Sequence, residues 1–276
     1  MTFAASMAEL LALPAVQRSF VALLIGSIGL PVAGVLIVGL DIITVRFAVM
    51  HLALLGIALG LWMGLDPVLC GVVLAAVASG ALAPLAGRPG GLSGPMGFLM
   101  TIAIASALLV LSITGVNASG AFELLWGSVL ATRRSDLVLL TVVTVAVVAL
   151  VASNRRRLAL LLYDREVALA SGVPVGGLVF VVLVVVAAAI ASAIRLTGAL
   201  LVDSLTLLPA LAARNLATSF TSMLIWAMAC GLAGGVGGLL VSLAFDQPPG
   251  PVMVLTAGAI TLTTYLIPIH RQGATR

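Results

Sequence analysis

Residues 19–40 read SFVALLIGSIGLPVAGVLIVGL, from Ser19 to Leu40, and carry no charged side chain. A helix crosses the hydrocarbon core of a bilayer with about 20 predominantly apolar residues, so this stretch predicts a membrane span. It lacks the polar–apolar alternation that a transmembrane β-strand needs. The same pattern recurs along the chain. Residues 47–65, 67–85, 96–116, 137–152, 178–194, 222–245 and 252–269 are further apolar runs. Residues 197–213 form a shorter run, interrupted by Asp203 and Pro209. A segment so interrupted fits a half-helix or re-entrant element. The expected fold is an all-α, polytopic helical membrane protein of eight to nine spans, including one short or re-entrant broken helix near 197–213.

Composition supports this. Of 276 residues, 62% are hydrophobic and 8% are charged. A soluble domain carries about 25% charged residues, so a water-facing surface cannot be built here. Nucleic-acid binding, intrinsic disorder and ordinary soluble enzymes are excluded as classes. At about 20 residues per span, the length is used up by one bundle. The expectation is a single transmembrane domain over residues 1–276, with no separate soluble domain.

All 13 basic residues are arginine. A Walker A loop needs a phosphate-binding lysine, so the chain is not a standard P-loop ATPase. Any ATP hydrolysis then belongs to a partner chain, and the chain itself is not expected to be an enzyme. Cys70 and Cys230 lie in apolar runs and read as core packing.

The connections carry the remaining signals. Residues 1–18 read as an amphipathic lead-in, charged only at Glu9 and Arg18. No basic region precedes an apolar stretch there, so no cleaved signal peptide is expected. Asp66-Pro67 caps the third span, and Arg88-Pro89-Gly90-Gly91 breaks the chain after it. The apolar piece 124–132 is too short to cross and is expected to lie at the interface. Residues 159–176 read as an amphipathic loop helix rather than a span. Five glycines between Gly231 and Gly238 would let helices approach closely.

Arginine placement predicts orientation. With the Arg155-Arg156-Arg157 cluster placed inside, the inner loops collect Arg46, Arg88, Arg155, Arg156, Arg157, Arg165, Arg214, Arg271 and Arg276, and the outer ones Arg18, Arg133, Arg134 and Arg195. By the positive-inside rule, the N-terminus lies outside and the C-terminus inside.

His51 is the sharpest candidate for chemistry. A neutral imidazole is the commonest transition-metal ligand. Intramembrane ionisable groups usually face the bundle interior. The competing reading is a structural histidine bonded to a neighbouring helix. Asp203 is the second candidate, a carboxylate whose burial needs a partner. It could instead cap a helix, together with Ser204. Met50, Met63 and Met253 read as packing, and His270 as a solvated tail residue. Asp164, Arg165 and Glu166 open the loop helix. They form either a solvated face or, beside the small residues Ala170-Ser171-Gly172, a docking element.

Several of these segments together resemble the permease subunit of ATP-binding-cassette importers for divalent transition metals, the zinc and manganese uptake type. Pro14 to Arg18 is similar to that family's lead-in. His51-Leu52-Ala53-Leu54-Leu55-Gly56, with Ala58 and Gly60, looks like its second-span motif. Phe122 to Gly127, followed by Leu130, resembles its interface helix. Asp164 to Val175 (DREVALASGVPV) resembles its cytoplasmic coupling helix. Gly198 to Leu205 (GALLVDSL), with Pro209-Ala210, matches its seventh-segment motif. Asp246 to Pro251 resembles its final turn.

The resemblance implies a homodimer in the cytoplasmic (inner) membrane of a prokaryote. It implies two cassette ATPase subunits coupled through Asp164, Arg165, Glu166, Ala170 and Gly172. An extracytoplasmic metal-binding protein would deliver the ion. The implied cargo is zinc or manganese, with no permanently bound cofactor and no nucleic acid. Two departures stand out. The family usually has an aspartate four residues before the histidine, where this chain has Phe47, and its basic pair between the first two spans is replaced by Asp41-Ile42-Ile43. Asp203 is therefore the expected source of the missing carboxylate near His51. The alternatives are a permease of the same mechanism for haem or a metal chelate, and an autonomous secondary transporter. The latter predicts inverted repeats and several intramembrane charges.

Overall fold

The computed structural model describes residues 12–87, 92–114 and 133–266; the side chains of Ser93, residues 195–200 and Asp203 are not among those described. Within them the chain is helical. The first span is α1, Pro14–Gly39. Proline at its first position has no amide to leave unpaired and presets the helical φ, so the span starts inside the expected lead-in. Pro31 lies within α1 without ending it. Helices α2 (Ile43–Met63) and α3 (Pro67–Leu82) form a hairpin. Gly64, in the left-handed region at φ 69°, ends α2, and the Asp66 carboxylate caps α3 by accepting from the Leu69 amide at 2.9 Å. A 3-10 turn, Ala83–Gly87, follows. Then come α4 (Ser93–Ile113) and α5 (Arg134–Ser153).

Residues 159–176 were expected to be one loop helix. The structure has two, α6 (Arg155–Tyr163) and α7 (Arg165–Ala170), separated at Asp164, whose backbone is extended. The long helical run α8 (Val175–Leu216), then α9 (Phe220–Phe245) and α10 (Pro249–Leu266), complete the described chain. Among the described residues, eight helical stretches are long and apolar enough to cross a membrane. The apolar piece 124–132 and the tail after Leu266 lie outside the described residues.

Helix α8 organises the bundle. It packs against α1, α2, α3, α5, α9 and α10. Its 42 residues stay helical throughout, with Pro209 inside, so the expected separate element at 197–213 is not set off by a loss of helix. Yet α8 cannot be straight. Between Val175 and Arg214 a straight helix would measure about 58 Å. Arg214, however, lines one cavity with Tyr163. Tyr163 is joined to Val175 by a segment that includes α7 and reaches about 30 Å at most.

The neighbours of α8 show where it reverses. Near its start, Phe180 and Val184 pack on Gly80 of α3. Further along, Leu201 lies against Gly250 at the beginning of α10. The Leu208 carbonyl accepts from the Thr261 hydroxyl at 3.0 Å, and Asn215 Nδ2 donates to Thr264 Oγ1 at 3.1 Å. Residues 201–216 thus run alongside α10, back toward the end of the bundle where α8 began. The reversal falls between Ile194 and Leu201. The earlier expectation located the return leg correctly and its cause incorrectly. Pro209 does not break the helix, and Ser204 does not cap one. The Ser204 hydroxyl instead donates to the Leu201 carbonyl at 2.9 Å.

The return leg is wedged against α1. A Cβ on Gly34 would overlap the Thr206 carbonyl, and one on Gly235 would come within 2.8 Å of Ser27 Oγ. The Thr206 backbone lies so close to Gly34 that no side chain fits there, while Gly235 is crowded by the side chains of Ser27 and Leu205. Leu201, Val202, Leu205 and Thr206 are buried.

Gly34→Ala is therefore expected to lower stability by about 1–3 kcal/mol, the cost of overpacking. Gly237 has open space around its Cβ, so Gly237→Ala in the same bundle should leave stability unchanged or slightly raised. Thermal unfolding of the two detergent-solubilised variants checks the contrast. Equal melting temperatures would refute the wedge.

Candidate functional site

Helix α2 is almost wholly enclosed. Between Val45 and Gly60 all residues are buried except Phe47, His51, Leu55 and Leu59. That spacing of four places them on one face of the helix. They form a narrow open seam, apolar at every position but one. His51 is that position. Toward Met63 the seam widens into a groove with Leu69, Cys70 and Val73 of α3.

The backbone orients the imidazole. His51 Nδ1 lies 2.6 Å from the Phe47 carbonyl oxygen. A carbonyl only accepts, so Nδ1 carries the proton and donates it. In the neutral ring the lone pair is then on Nε2. Metal-ligating histidines are characteristically held this way, the second ring nitrogen donating to a carbonyl. The sequence marked His51 but not this tautomer. The structural reading, a bond to a neighbouring helix, is replaced by a bond within α2 that leaves the other nitrogen available.

Phe47, at the position of the family's usual aspartate, is 41% exposed along the seam. The Arg46 guanidinium lies over its ring, 4.5 Å from the centroid. Arg46 was counted as a loop arginine. It is instead in the first turns of α2 and 2% exposed, because the helix begins at Ile43. The carboxylate of Asp203 lies outside the described residues. Its backbone belongs to the buried return leg of α8. Among the described residues, no group of three histidine, cysteine or carboxylate side chains stands ready to hold a metal ion. Met50 and Met253 are buried, as packing predicts, whereas Met63 is exposed. Cys70 and Cys230 are free thiols.

The second candidate element is at the end of the bundle where α8 starts and finishes. Asp164 Oδ1 accepts from the amides of Glu166 and Val167 at 2.7 and 3.0 Å, capping α7. Gly172, at φ 75°, ends it. The Val173 amide donates to the Ala168 carbonyl and the Gly172 amide to the Leu169 carbonyl, both at 3.0 Å. This double bond pattern needs a left-handed residue and suits glycine. Arg165 ties the helix to the body, its Nη1 donating to the Ala86 carbonyl at 3.1 Å. Ala168 and Val173 are buried beneath, while Glu166, Ala170 and the apolar side chains of Tyr163, Val167 and Leu169 are exposed. The sequence reading named the charged residues and missed these three apolar ones.

A short helix pair capped at one end of a bundle of helices able to cross a membrane, with a reversed helix at its centre, is the architecture of a multi-pass membrane protein. The family model described as the ABC 3 transport family matches residues 12–267. The chain belongs to that family. It is 25% identical over 206 residues to the high-affinity zinc uptake system membrane protein ZnuB of Haemophilus influenzae, covering 74% of this chain and 79% of that one. It is 26% identical over 178 residues to the manganese transport system membrane protein MntC of Listeria monocytogenes, covering 64% of this chain and 63% of that protein. In fold it is similar to PsaBC from Streptococcus pneumoniae in complex with Fab, with a TM-score of 0.83, 22% identity and 96% of each chain covered.

Asp164→Ala should remove the cap of α7 at a cost of about 1 kcal/mol. Hydrogen exchange at the Glu166 and Val167 amides is expected to accelerate while the spans stay protected. Unchanged exchange at both amides would show that the cap does not hold the helix.

Proposed function

We propose that this chain is the membrane-spanning permease subunit of an ATP-binding-cassette importer for a divalent metal ion, zinc or manganese. Family membership supports the class. The metal reading rests on one observation, the partly exposed His51 ring held by its own helix through Nδ1 on an otherwise apolar seam. A single ligand in a seam binds weakly enough for an ion to leave again, as transport requires. The names of the zinc and manganese relatives agree.

The whole chain acts as one permease domain. The α2 seam is open in one copy, and a homodimer with its two-fold axis along the seam would close it and bring two His51 side chains to one pathway. Asp203, on the return leg of α8, is the proposed companion carboxylate. Two cassette ATPases would dock at α6–α7, with Asp164, Arg165, Glu166, Ala170 and Gly172 in the contact and Tyr163, Val167 and Leu169 filling a groove on the partner. ATP hydrolysis resides in those partners, and their movement enters the spans through α7 into α8. An extracytoplasmic metal-binding protein delivers the ion at the opposite end. Arg155, Arg156, Arg157, Arg165 and Arg214 gather at the α6–α7 end, against Arg18, Arg133 and Arg134 at the other. That asymmetry supports a cytoplasmic α6–α7 end, an N-terminus outside and a C-terminus inside. The membrane is then the cytoplasmic membrane of a prokaryote.

A second reading is favoured by Phe47, whose phenyl ring cannot ligate an ion: the cargo is haem or a metal chelate. Whole-cell metal content separates the two. Cells expressing the complete transporter and supplied with mixed metals should accumulate one of them. Replacing His51 by alanine should cut that accumulation about tenfold or more, with assembly confirmed by co-purification of the ATPase. Accumulation unaffected by His51→Ala would refute the metal site. No accumulation in either strain, with haem uptake restored instead, would establish the second reading.

A further inference from the structure

On the side of the bundle away from α2, a groove of about 390 Å³ runs between α1, α5 and α9. Its walls are mainly hydrocarbon, from Ile28, Val32, Val148, Val151, Ile225 and Met228, with Thr221 the one polar side chain besides Arg155. Arg155 lines this groove and also a second, polar cavity of about 480 Å³ that adjoins it around Asn154 and Arg155 to Arg157. Ala152 and Arg155 line both. All three arginines are exposed, and no carboxylate lines either cavity.

The depth of this site is set by the chain itself. Helix α5 is a span that ends at Ser153, so Arg155 lies where hydrocarbon gives way to headgroups. A ligand that fills both cavities must be apolar along its length and negative at one end.

We propose that the joined cavities hold one anionic phospholipid, an acyl chain between α5 and α9 and the phosphate on Arg155. Charge complementarity selects this occupant. Three arginines at the interface, with no carboxylate lining either cavity, attract a net negative head, each by a Boltzmann factor of about five. A zwitterionic head would bring its ammonium toward Arg156 and Arg157. A peptide would leave backbone amides unsatisfied against hydrocarbon. A second copy packed here about a two-fold axis would bring its own arginine cluster toward this one. The bound headgroup sits at the joint between α5 and α6, the element that leads into α7, so lipid composition would act on the docking end.

The test is photolabelling of the full-length chain in phosphatidylcholine vesicles. They would contain trace phosphatidylglycerol, or trace phosphatidylcholine, with a diazirine on one acyl chain. Phosphatidylglycerol should label peptides from α5 and α9 preferentially. Arg155→Gln, an exposed substitution that spares the core, should reduce that labelling about fivefold. Val148→Trp or Ile225→Trp should block the groove and abolish labelling there, and either variant that elutes as the native chain suffices. Equal labelling by both lipids, adducts spread over all exposed helices, labelling unchanged by Arg155→Gln, or chain-to-chain crosslinks at Ile225 in place of lipid adducts would overturn the proposal.

Discussion

A helical run twice as long as a bilayer is thick has to reverse, and the close approach of Gly34 to the Thr206 backbone fixes where the returning half of α8 goes. Lipid tails are as apolar as leucine, so burial from lipid supplies little force between spans. Contact at backbone distance does. With glycine at position 34, the return leg settles against α1, and the Thr261 and Asn215 hydrogen bonds tie its other side to α10. Both ends of α8 then lie at one end of the bundle. The α6–α7 pair sits at that same end, and through it any force applied there reaches the centre of the fold directly.

The two candidate sites follow from this arrangement. Because α8 fills the centre, α2 is enclosed on all but one narrow face, and His51 is the only polar side chain on that face between Val45 and Gly60. The helix that positions His51 also sets its tautomer, through a carbonyl one turn earlier. At the end of the bundle where α8 begins, α7 is short and would fray alone. Asp164, Gly172 and the Arg165 bond to Ala86 hold it in place.

Much of the fold was legible because membrane spans announce themselves by length and continuity, as 19–40 and 222–245 do. Boundaries were less so. Proline at 14 and 67 starts helices, whereas proline at 31 and 209 sits inside them. Position within the helix, not residue type, decides which. The reversal of α8 left no local mark that separates it from an interrupted span. It shows only in contacts made far along the chain. Arg46 read as a loop residue because a charge beside Asp41 suggests a turn. The start of α2 at Ile43 carried it into the core. His51 stood out as an intramembrane ionisable group, while its orientation depended on rotamer and backbone. The seam, the exposed Tyr163, Val167 and Leu169, and the groove below Arg155 arise from tertiary packing, which residue pattern alone does not encode.

The reversal of α8 is the central claim, and a distance tests it. Spin labels at Gly176→Cys and Arg214→Cys, both exposed positions, would be measured by double electron–electron resonance. Cys70 and Cys230 would be replaced and the labelled chain diluted with unlabelled copies. A reversed helix places the labels less than about 40 Å apart. A distance near the roughly 57 Å of a straight helix over the same residues would contradict it.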